Sequence, residues 1–452
     1  MKCIHKWTAI LVCCFCLELC AADAPPNVIF IVADDLGYGD LACYGSSTNK
    51  TPHIDELAQQ GVRFTDFHSS GPMCTPTRVS ILTGQYQQRF GAVFDGPLSG
   101  ESQRHLGLPT SAVTVAEHVK RKGYATACFG KWHLGFRPPT QPTDQGFDEF
   151  RGLLAGDGDH HSHIDRYGNE DWWHNDQIAM ESGYTADLLT RYSIEFIHRN
   201  RERPFFLYLP HLAIHFPWQG PNDPAHRESG KDYKQDKWGV IPNRSDVRPH
   251  IQAMVESIDD STGRILAELR RLELTDRTVV IFTSDNGGYL TYGREFKNIS
   301  SNGRLRGQKG ELYEGGHRVP LIVSCPTRIS PAVSDSLTHS NDFLPTICSL
   351  AGIDSVESDG VDLSPLLFEK KKLDERTLYW RAGKEWAVRR GKWKLVYEQG
   401  RQELFNLHDD VGEQSDQRSK QPEFAKQLAD DWRRWDESIR AERLRVQKRL
   451  EN

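Results

Sequence analysis

Basic residues do not outnumber acidic ones in this chain. Its 452 residues hold 56 Lys and Arg against 62 Asp and Glu, for a net charge of −6. The basic surface that nonspecific nucleic-acid binding needs is therefore missing, so nucleic acid is not an expected partner. Cysteine is thin where it could build structure. Five of the ten lie within the first 20 residues, and the other five (Cys43, Cys74, Cys128, Cys325 and Cys348) are spaced widely and irregularly. Past that leader there is no CxxC pair, so a structural zinc is not indicated. With Cys74 set aside, the other four permit two disulfides in any of three pairings, or free core thiols. After the leader no apolar run is long enough to span a bilayer.

The leader has its own logic. Lys2 and Lys6 precede an apolar run from Trp7 to Leu19, and the small pair Ala21-Ala22 follows. That pattern predicts a secretory signal peptide over residues 1–22 and a secreted or periplasmic protein. Leu17-Glu18-Leu19 is a poor match to a lipid-attachment site at Cys20. Asn243-Arg244-Ser245 and Asn298-Ile299-Ser300 are glycosylation sequons, relevant only in a eukaryotic host. Hydrophobic content of 38%, with 10% aromatic, suits a soluble globular protein of one large and one small domain.

Asn27 to Ala33 is a continuous β-branched and apolar run, the mark of a strand buried on both faces. It ends in Asp34-Asp35, with Gly37 and Gly39 opening a loop. Helical patterns follow from Thr51 to Gly61, from Val113 to Lys122, from Thr185 to Arg199 and from Val247 to Leu272. They alternate with strand candidates Tyr124–Phe129, Phe205–Leu209 and Thr278–Thr283. Residues 136–183 and 217–246 are polar and aperiodic and read as long loops. The expected fold is α/β, a large doubly wound, mostly parallel sheet flanked by helices. After residue 372 four short strand candidates near 378, 386, 394 and 403 precede a helix from Pro422 to Ile439. They predict a small C-terminal antiparallel sheet with one helix, so the expected domains are 23–372 and 373–452. The charged tail from Arg440 to Asn452 reads as a solvated helix end.

Chemistry concentrates at Cys74-Thr75-Pro76-Thr77-Arg78. Gly71-Pro72 sets a turn before it, and Pro76 sits where a first helical turn tolerates proline. Cys74 thus stands at a helix mouth, where free backbone N–H groups favour an anion. Arg78, one turn on, points the same way. The segment predicts a nucleophile beside a cation, facing an anionic substrate. Asp34, Asp35, Asp285 and Asn286 arrive from two strand ends as an all-oxygen donor set, suited to a hard cation such as Ca²⁺. Lys131 and His133 alternate after a third strand, and Lys309 lies in a glycine-rich loop.

The string from Cys74 to Gly84 resembles the signature of the type I sulfatases, Cys-x-Pro-x-Arg-x-x-x-Leu-Thr-Gly, at every fixed position. Gly130-Lys131-Trp132-His133-Leu134-Gly135, Ser284-Asp285-Asn286-Gly287-Gly288 and Lys309-Gly310-x-x-Tyr313-Glu314-Gly315-Gly316 resemble further segments of that family, within the alkaline phosphatase superfamily. The resemblance implies that a formylglycine-generating maturation enzyme converts Cys74 to formylglycine, and that one Ca²⁺ binds Asp34, Asp35, Asp285 and Asn286. It implies that Lys131 and Lys309 hold sulfate oxygens and that His133 partners the nucleophile. His211 and His215 compete on spacing for protonation of the leaving alcohol. The resemblance favours His215, which precedes an aromatic-proline pair.

Asp157, Asp159, His160, His161, His163 and Trp172 crowd one long insertion, where aromatics could stack on sugar faces and polar groups bond hydroxyls. The expected substrate is therefore a sulfated carbohydrate, as for secreted bacterial members acting on polysaccharides or glycosaminoglycans. The competing readings are a phosphate mono- or diesterase of the same superfamily and a catalytically silent binder of sulfated glycans.

Overall fold

The computed structural model describes residues 25–450, with side chains described to residue 440. The expected signal peptide over 1–22 and the lipid-attachment position at Cys20 lie outside the described residues. Strands in chain order are β1 (Asn27–Ala33), β2 (Val62–Phe64), β3 (Ala125–Lys131), β4 (Glu149–Leu153), β5 (Trp173–His174), β6 (Gln177–Ile178), β7 (Phe205–Pro210), β8 (Thr278–Ser284), β9 (Leu321–Ser324) and β10 (Ala332–Ser334). They form one sheet in the order β10-β2-β9-β8-β1-β7-β3-β4-β5-β6. The central run β8-β1-β7-β3-β4 is parallel, while β9 is antiparallel to both of its neighbours.

Strand β1 takes the centre because every residue in it is apolar or hydrogen-bonded. Val28, Phe30 and Val32 point into one core layer, and Ile29, Ile31 and Ala33 into the other. Burying one such side chain on each face contributes about 1.5–3 kcal/mol apiece, which a one-residue slip in register would forfeit. Helices α2 (Cys74–Thr83), α3 (Val115–Lys120) and α6 (Phe343–Leu350) cover the first face. Helices α1 (Pro52–Gln59), α4 (Thr185–Arg199) and α5 (Arg248–Arg271) cover the second. No described helix is long and apolar enough to cross a membrane.

Residues 136–183, expected to be one structureless loop, instead supply β4, β5 and β6, which extend the sheet at one edge. The reason is tertiary: Glu-Phe-Arg-Gly-Leu has little strand character of its own and is recruited by parallel pairing with β3. Cys43, Cys74, Cys128, Cys325 and Cys348 are all free thiols, and all but Cys43 are buried.

Strands β11 (Thr377–Ala382), β12 (Glu385–Arg390), β13 (Trp393–Glu398) and β14 (Arg401–Asn406) form the separate antiparallel sheet. Helix α7 runs from Pro422 to Leu450, so the charged tail past Ile439 continues the helix as its spacing predicts. Val388, Leu395 and Leu404 face Ala425, Leu428 and Trp432 of α7. The alternate residues Ala387, Val396 and Phe405, with Trp380, face Leu312 and Tyr313 of the larger unit.

A buried ionic seam joins the two sheets. Asp66 takes Arg389 at 2.6 Å, His68 at 2.9 Å and Arg318 at 3.5 Å, and Glu314 takes Lys394 at 2.9 Å. Burial works to raise the Asp66 carboxyl, yet Arg389 and Arg318 hold it far below the usual carboxylate range. A carboxyl depressed on folding stabilises the fold at pH values above its unfolded pKa of about 4, and that contribution is lost as pH falls below it. Asp66→Asn is therefore expected to cost about 3–5 kcal/mol at neutral pH by leaving Arg389 with only Glu314, 3.7 Å away, to balance it. It should also flatten the acid limb of the stability-pH curve. Denaturant melts of both proteins between pH 3 and 7 check this; parallel curves would show that the seam carries no linkage.

Candidate active site

Four strands deliver the site at their carboxyl ends. Ala33 and Ser284 are paired in the β1–β8 register, so Asp34-Asp35 and Asp285-Asn286 emerge side by side. Asp285 N–H donates to Ala33 O at 3.1 Å, and Asp35 N–H donates to the Asp285 carboxylate at 3.3 Å. Lys131 closes β3. Gly130 before it has a φ of 132°, and a Cβ there would run into the Pro210 carbonyl of β7. Past the strand ends Asp35 (φ 64°) and His133 (φ 58°) adopt left-handed backbone, a conformation uncommon for non-glycine residues.

Helix α2 enters from the other side with all ten residues buried. Cys74 is its first residue, and its thiol lies 3.3 Å from an Asp34 oxygen and 3.3 Å from Lys309 Nζ. Arg78, one turn along, donates to Asp285 from Nε at 3.0 Å and from its terminal nitrogen at 2.8 Å, and to Lys131 O at 2.7 Å. Lys131 pairs with Asp34, and Lys309 pairs with Asp35 at 2.5 Å. Three carboxylates thus face three cations, and the buried cluster is neutral on its own.

The donor set fits a hard cation. Oxygens of Asp34, Asp35 and Asp285 and the Cys74 sulfur lie within 4.8 Å of one another. Asn286 donates to Asp35 through its amide at 2.8 Å, while its carbonyl oxygen is buried without a partner. An orphaned buried oxygen beside three carboxylates is what a calcium-type site requires. Burial and the charge of Asp285 push the Asp34 carboxyl up to about 7 against the pull of Lys131. For Asp285, burial is overcome by Arg78, Lys131 and Lys309, and the group is held low. Two acids in one dry site have been driven apart, as like charges must be.

Burial and Asp34 also hold the Cys74 thiol well above its ordinary value, despite Lys131 and Lys309. The site therefore keeps sulfur protonated and poorly nucleophilic. Burial, Lys131 and Lys309 keep His215 neutral, and burial with Lys131 does the same for His133. His215 Nδ1 donates to Phe216 O at 2.8 Å, so its Nε2, 3.9 Å from Asp35, is the nitrogen left to exchange a proton. His133 Nε2 donates to Leu98 O at 2.9 Å, and its Nδ1 has no partner.

Cys74, His133, His215 and Lys309 line one cavity of about 280 Å³. His211, the competitor of His215, lies elsewhere, its Nε2 3.3 Å from Ser261 Oγ. Of the six insertion residues expected to meet substrate, Asp157 alone lines the cavity. The other five fold the insertion itself. Trp172 is 1% exposed and packs in the core with Leu153 and Tyr192, with His163 stacked on it at 4.1 Å, so no face is free for a sugar. Asp159 accepts the backbone N–H groups of His161, Ser162, His226 and Arg227. His160 bonds the His215 carbonyl at 3.2 Å and His161 the Gly220 carbonyl at 3.1 Å. The aromatic lining comes instead from Tyr167, Phe216, Tyr289 and Tyr292, with Arg166 and Lys237 beside them. Sequence reasoning missed these because they lie on three separate connections with no common spacing.

The sulfatase family model matches residues 26–353. Arylsulfatase A of Homo sapiens is 35% identical over 408 residues, covering 83% of this chain and 76% of that protein. N-acetylgalactosamine-6-sulfatase of Rattus norvegicus is 31% identical over 407 residues, covering 84% and 73%. Among solved structures, that of Ps i-CgsB in complex with k-i-k-neocarrahexaose superposes with a TM-score of 0.78 at 29% identity, covering 91% of this chain and 92% of that one. With a fold, a cavity and an extended match all of one kind, the chain belongs to the sulfatase family, enzymes of the alkaline phosphatase superfamily that hydrolyse sulfate esters.

Proposed function

We propose that this chain removes sulfate from a sulfated carbohydrate. The nucleophile is a formylglycine made from Cys74 by a maturation enzyme, and the metal is a Ca²⁺ held by Asp34, Asp35, Asp285 and Asn286. The observation that carries the reading is the state of Cys74: it stands at a helix mouth between an acid and a lysine, on a cavity wall, with its thiol suppressed. A thiolate mechanism would need the opposite. Hydrated formylglycine supplies two hydroxyls, one to attack sulfur and one whose deprotonation expels the sulfate. A hard dication supplies positive charge for the sulfate oxygens.

The remaining work falls to the chain's own side chains. Because the three carboxylates and three cations already balance, a dication leaves the site two charges positive, ready for an anionic ester. Lys309 reaches both position 74 and Asp35, so it can hold a sulfate oxygen and orient the nucleophile together. Lys131 pairs with Asp34, the acid beside position 74, and adds positive charge from behind it. The free Nδ1 of His133 is placed to take the proton in the release step; His215 Nε2, bare in the neutral ring, is placed to pick up a proton as the anionic ester binds and to pass it to the leaving alcohol. Carbohydrate as the alcohol is supported by the N-acetylgalactosamine-6-sulfatase and neocarrahexaose names among the relatives, and by four aromatic rings lining the cavity. Cleavage of residues 1–22 would send the protein out of the cytoplasm, and the unit over 23–372 carries the whole site, with 373–452 as a subdomain packed on it.

Sulfate release from a panel of sulfated oligosaccharides tests the reading. The protein is co-expressed with a formylglycine-generating enzyme, and conversion at position 74 is verified by peptide mass. Release from a sulfated sugar is expected; phosphate esters outpacing sulfate esters would sink the proposal. A general acid matters most for a poor leaving group. His215→Gln is therefore expected to lower kcat about 10²–10⁴-fold on a sugar sulfate, and far less on an aryl sulfate with an acidic phenol. Equal losses on both would remove His215 from that role.

A further inference from the structure

The cavity wall beyond His215 carries more positive charge than the sulfate site itself has use for. Asp157 on that wall is bound by two arginines, Arg166 at 2.8 Å and Arg227 at 2.8 Å, and Arg227 is completely buried behind it. Burial would raise this carboxyl, yet Arg227 and Arg166 bring it down to about 2, so it is ionised. One negative charge there answers two positive ones.

Lys237 adds a third. Its ammonium has no carboxylate within ion-pair distance among the described residues. It is held instead by aromatic rings, 4.8 Å from Trp238, 5.2 Å from Tyr292 and 5.3 Å from Phe216, and it donates to the Tyr292 hydroxyl at 3.3 Å. Arg166 lies over the same Phe216 ring at 5.1 Å. Such contacts fix the cation in place, but they do not neutralise it. Two cations sharing one ring, with a single carboxylate between them and a third, repel one another in a half-desolvated wall. Both line the cavity, and the Phe216 ring is 4.1 Å from the His215 ring, so they stand one ring's width from the leaving-group side of the sulfate.

We propose that Lys237 and Arg166 form a second anion subsite, and that the substrate carries another acidic group near the sulfate ester that is cleaved. Carboxylate and sulfate share the chemistry this subsite recognises, so the substrate is a polyanionic glycan, either a uronate-containing or a multiply sulfated one. The inference rests on the carbohydrate sulfatase reading and narrows it. Tyr289 and Tyr292, half-buried on the wall, supply the sugar face contacts, while the two cations choose which sugars bind well.

The test uses the full chain with formylglycine verified at position 74 and four probes: an aryl sulfate, a monosulfated neutral disaccharide, a disulfated disaccharide, and a monosulfated disaccharide containing a uronic acid. At low salt, kcat/KM for at least one dianionic sugar is expected to exceed that for the neutral one about tenfold, the worth of one well-placed charge pair. The advantage should shrink as salt is raised. Lys237→Met is expected to remove most of it, chiefly through KM, lowering the dianionic rate about tenfold more than the aryl sulfate rate. A preference for the disulfated or for the uronate probe names the second group, and either supports the subsite. Equal turnover of the neutral and both dianionic sugars overturns it, as does a Lys237→Met loss that is uniform across probes. Turnover of the aryl sulfate with none of the sugars would instead overturn the carbohydrate reading beneath it.

Discussion

Cys74→Ala is expected to lower turnover by about 10⁵–10⁶-fold, the scale of deleting a covalent nucleophile outright, while the fold survives. Stability should barely change because the thiol is small and its neighbours do not depend on it. Asp34 keeps Lys131, and Lys309 keeps Asp35. The lost contacts, to Asp34 at 3.3 Å and Lys309 at 3.3 Å, are weak sulfur hydrogen bonds, so the cost is within about 1 kcal/mol. Cys74→Ser is expected to be as inactive in steady state, since one hydroxyl can accept the sulfuryl group but no second hydroxyl exists to expel it. Sulfate release measured beside a denaturant melt separates these outcomes. Turnover retained in the alanine variant would mean that another group attacks sulfur, and the assignment of position 74 would fall.

The positions proposed for this chemistry were legible because they sit at strand ends and in short motifs. The run from Asn27 to Ala33 could only be a strand buried on both faces, and a parallel sheet places its polar groups at the carboxyl ends. Asp34-Asp35, Lys131-x-His133, His215 and Asp285-Asn286 follow four such strands, and they do converge. Strand direction was not legible. Nothing in Leu321–Ser324 says that it pairs antiparallel with both neighbours. Helix α6 was hidden by the proline within Phe343–Leu350.

The insertion misled for a different reason. A polar, aromatic stretch without periodicity reveals what it is made of and not which way each side chain points. Asp159, His163 and Trp172 are the residues one would choose to hold a sugar, and they turn inward to hold the loop. Arg166 and Lys237, unremarked in sequence, are brought together at the cavity by the Phe216 ring they share, with Arg166 also tied to Asp157.

Arg78→Ala is the substitution expected to harm both fold and chemistry. Its guanidinium is wholly buried and makes a two-pronged bond to Asp285, with Asp34 a further 3.7 Å away. Removing it leaves the ionised Asp285 without its guanidinium partner beside Asp34, with one cation fewer in a medium that cannot screen it. The expected loss is about 3–5 kcal/mol, as for other broken buried pairs. Burial disfavours the charged form of Arg78, yet Asp285 and Asp34 hold it protonated throughout the usable pH range, so no pH change mimics the substitution. Arg78→Lys should recover part of the stability by restoring charge. It should not recover turnover, because an ammonium cannot hold both Asp285 and the Lys131 carbonyl in the planar fork that sets their positions. Added Ca²⁺ should raise the melting temperature of the wild type and do so less for either variant, since Asp285 is one of its proposed ligands. If Arg78→Ala melts with the wild type and responds equally to Ca²⁺, the guanidinium is not what holds the acid cluster together.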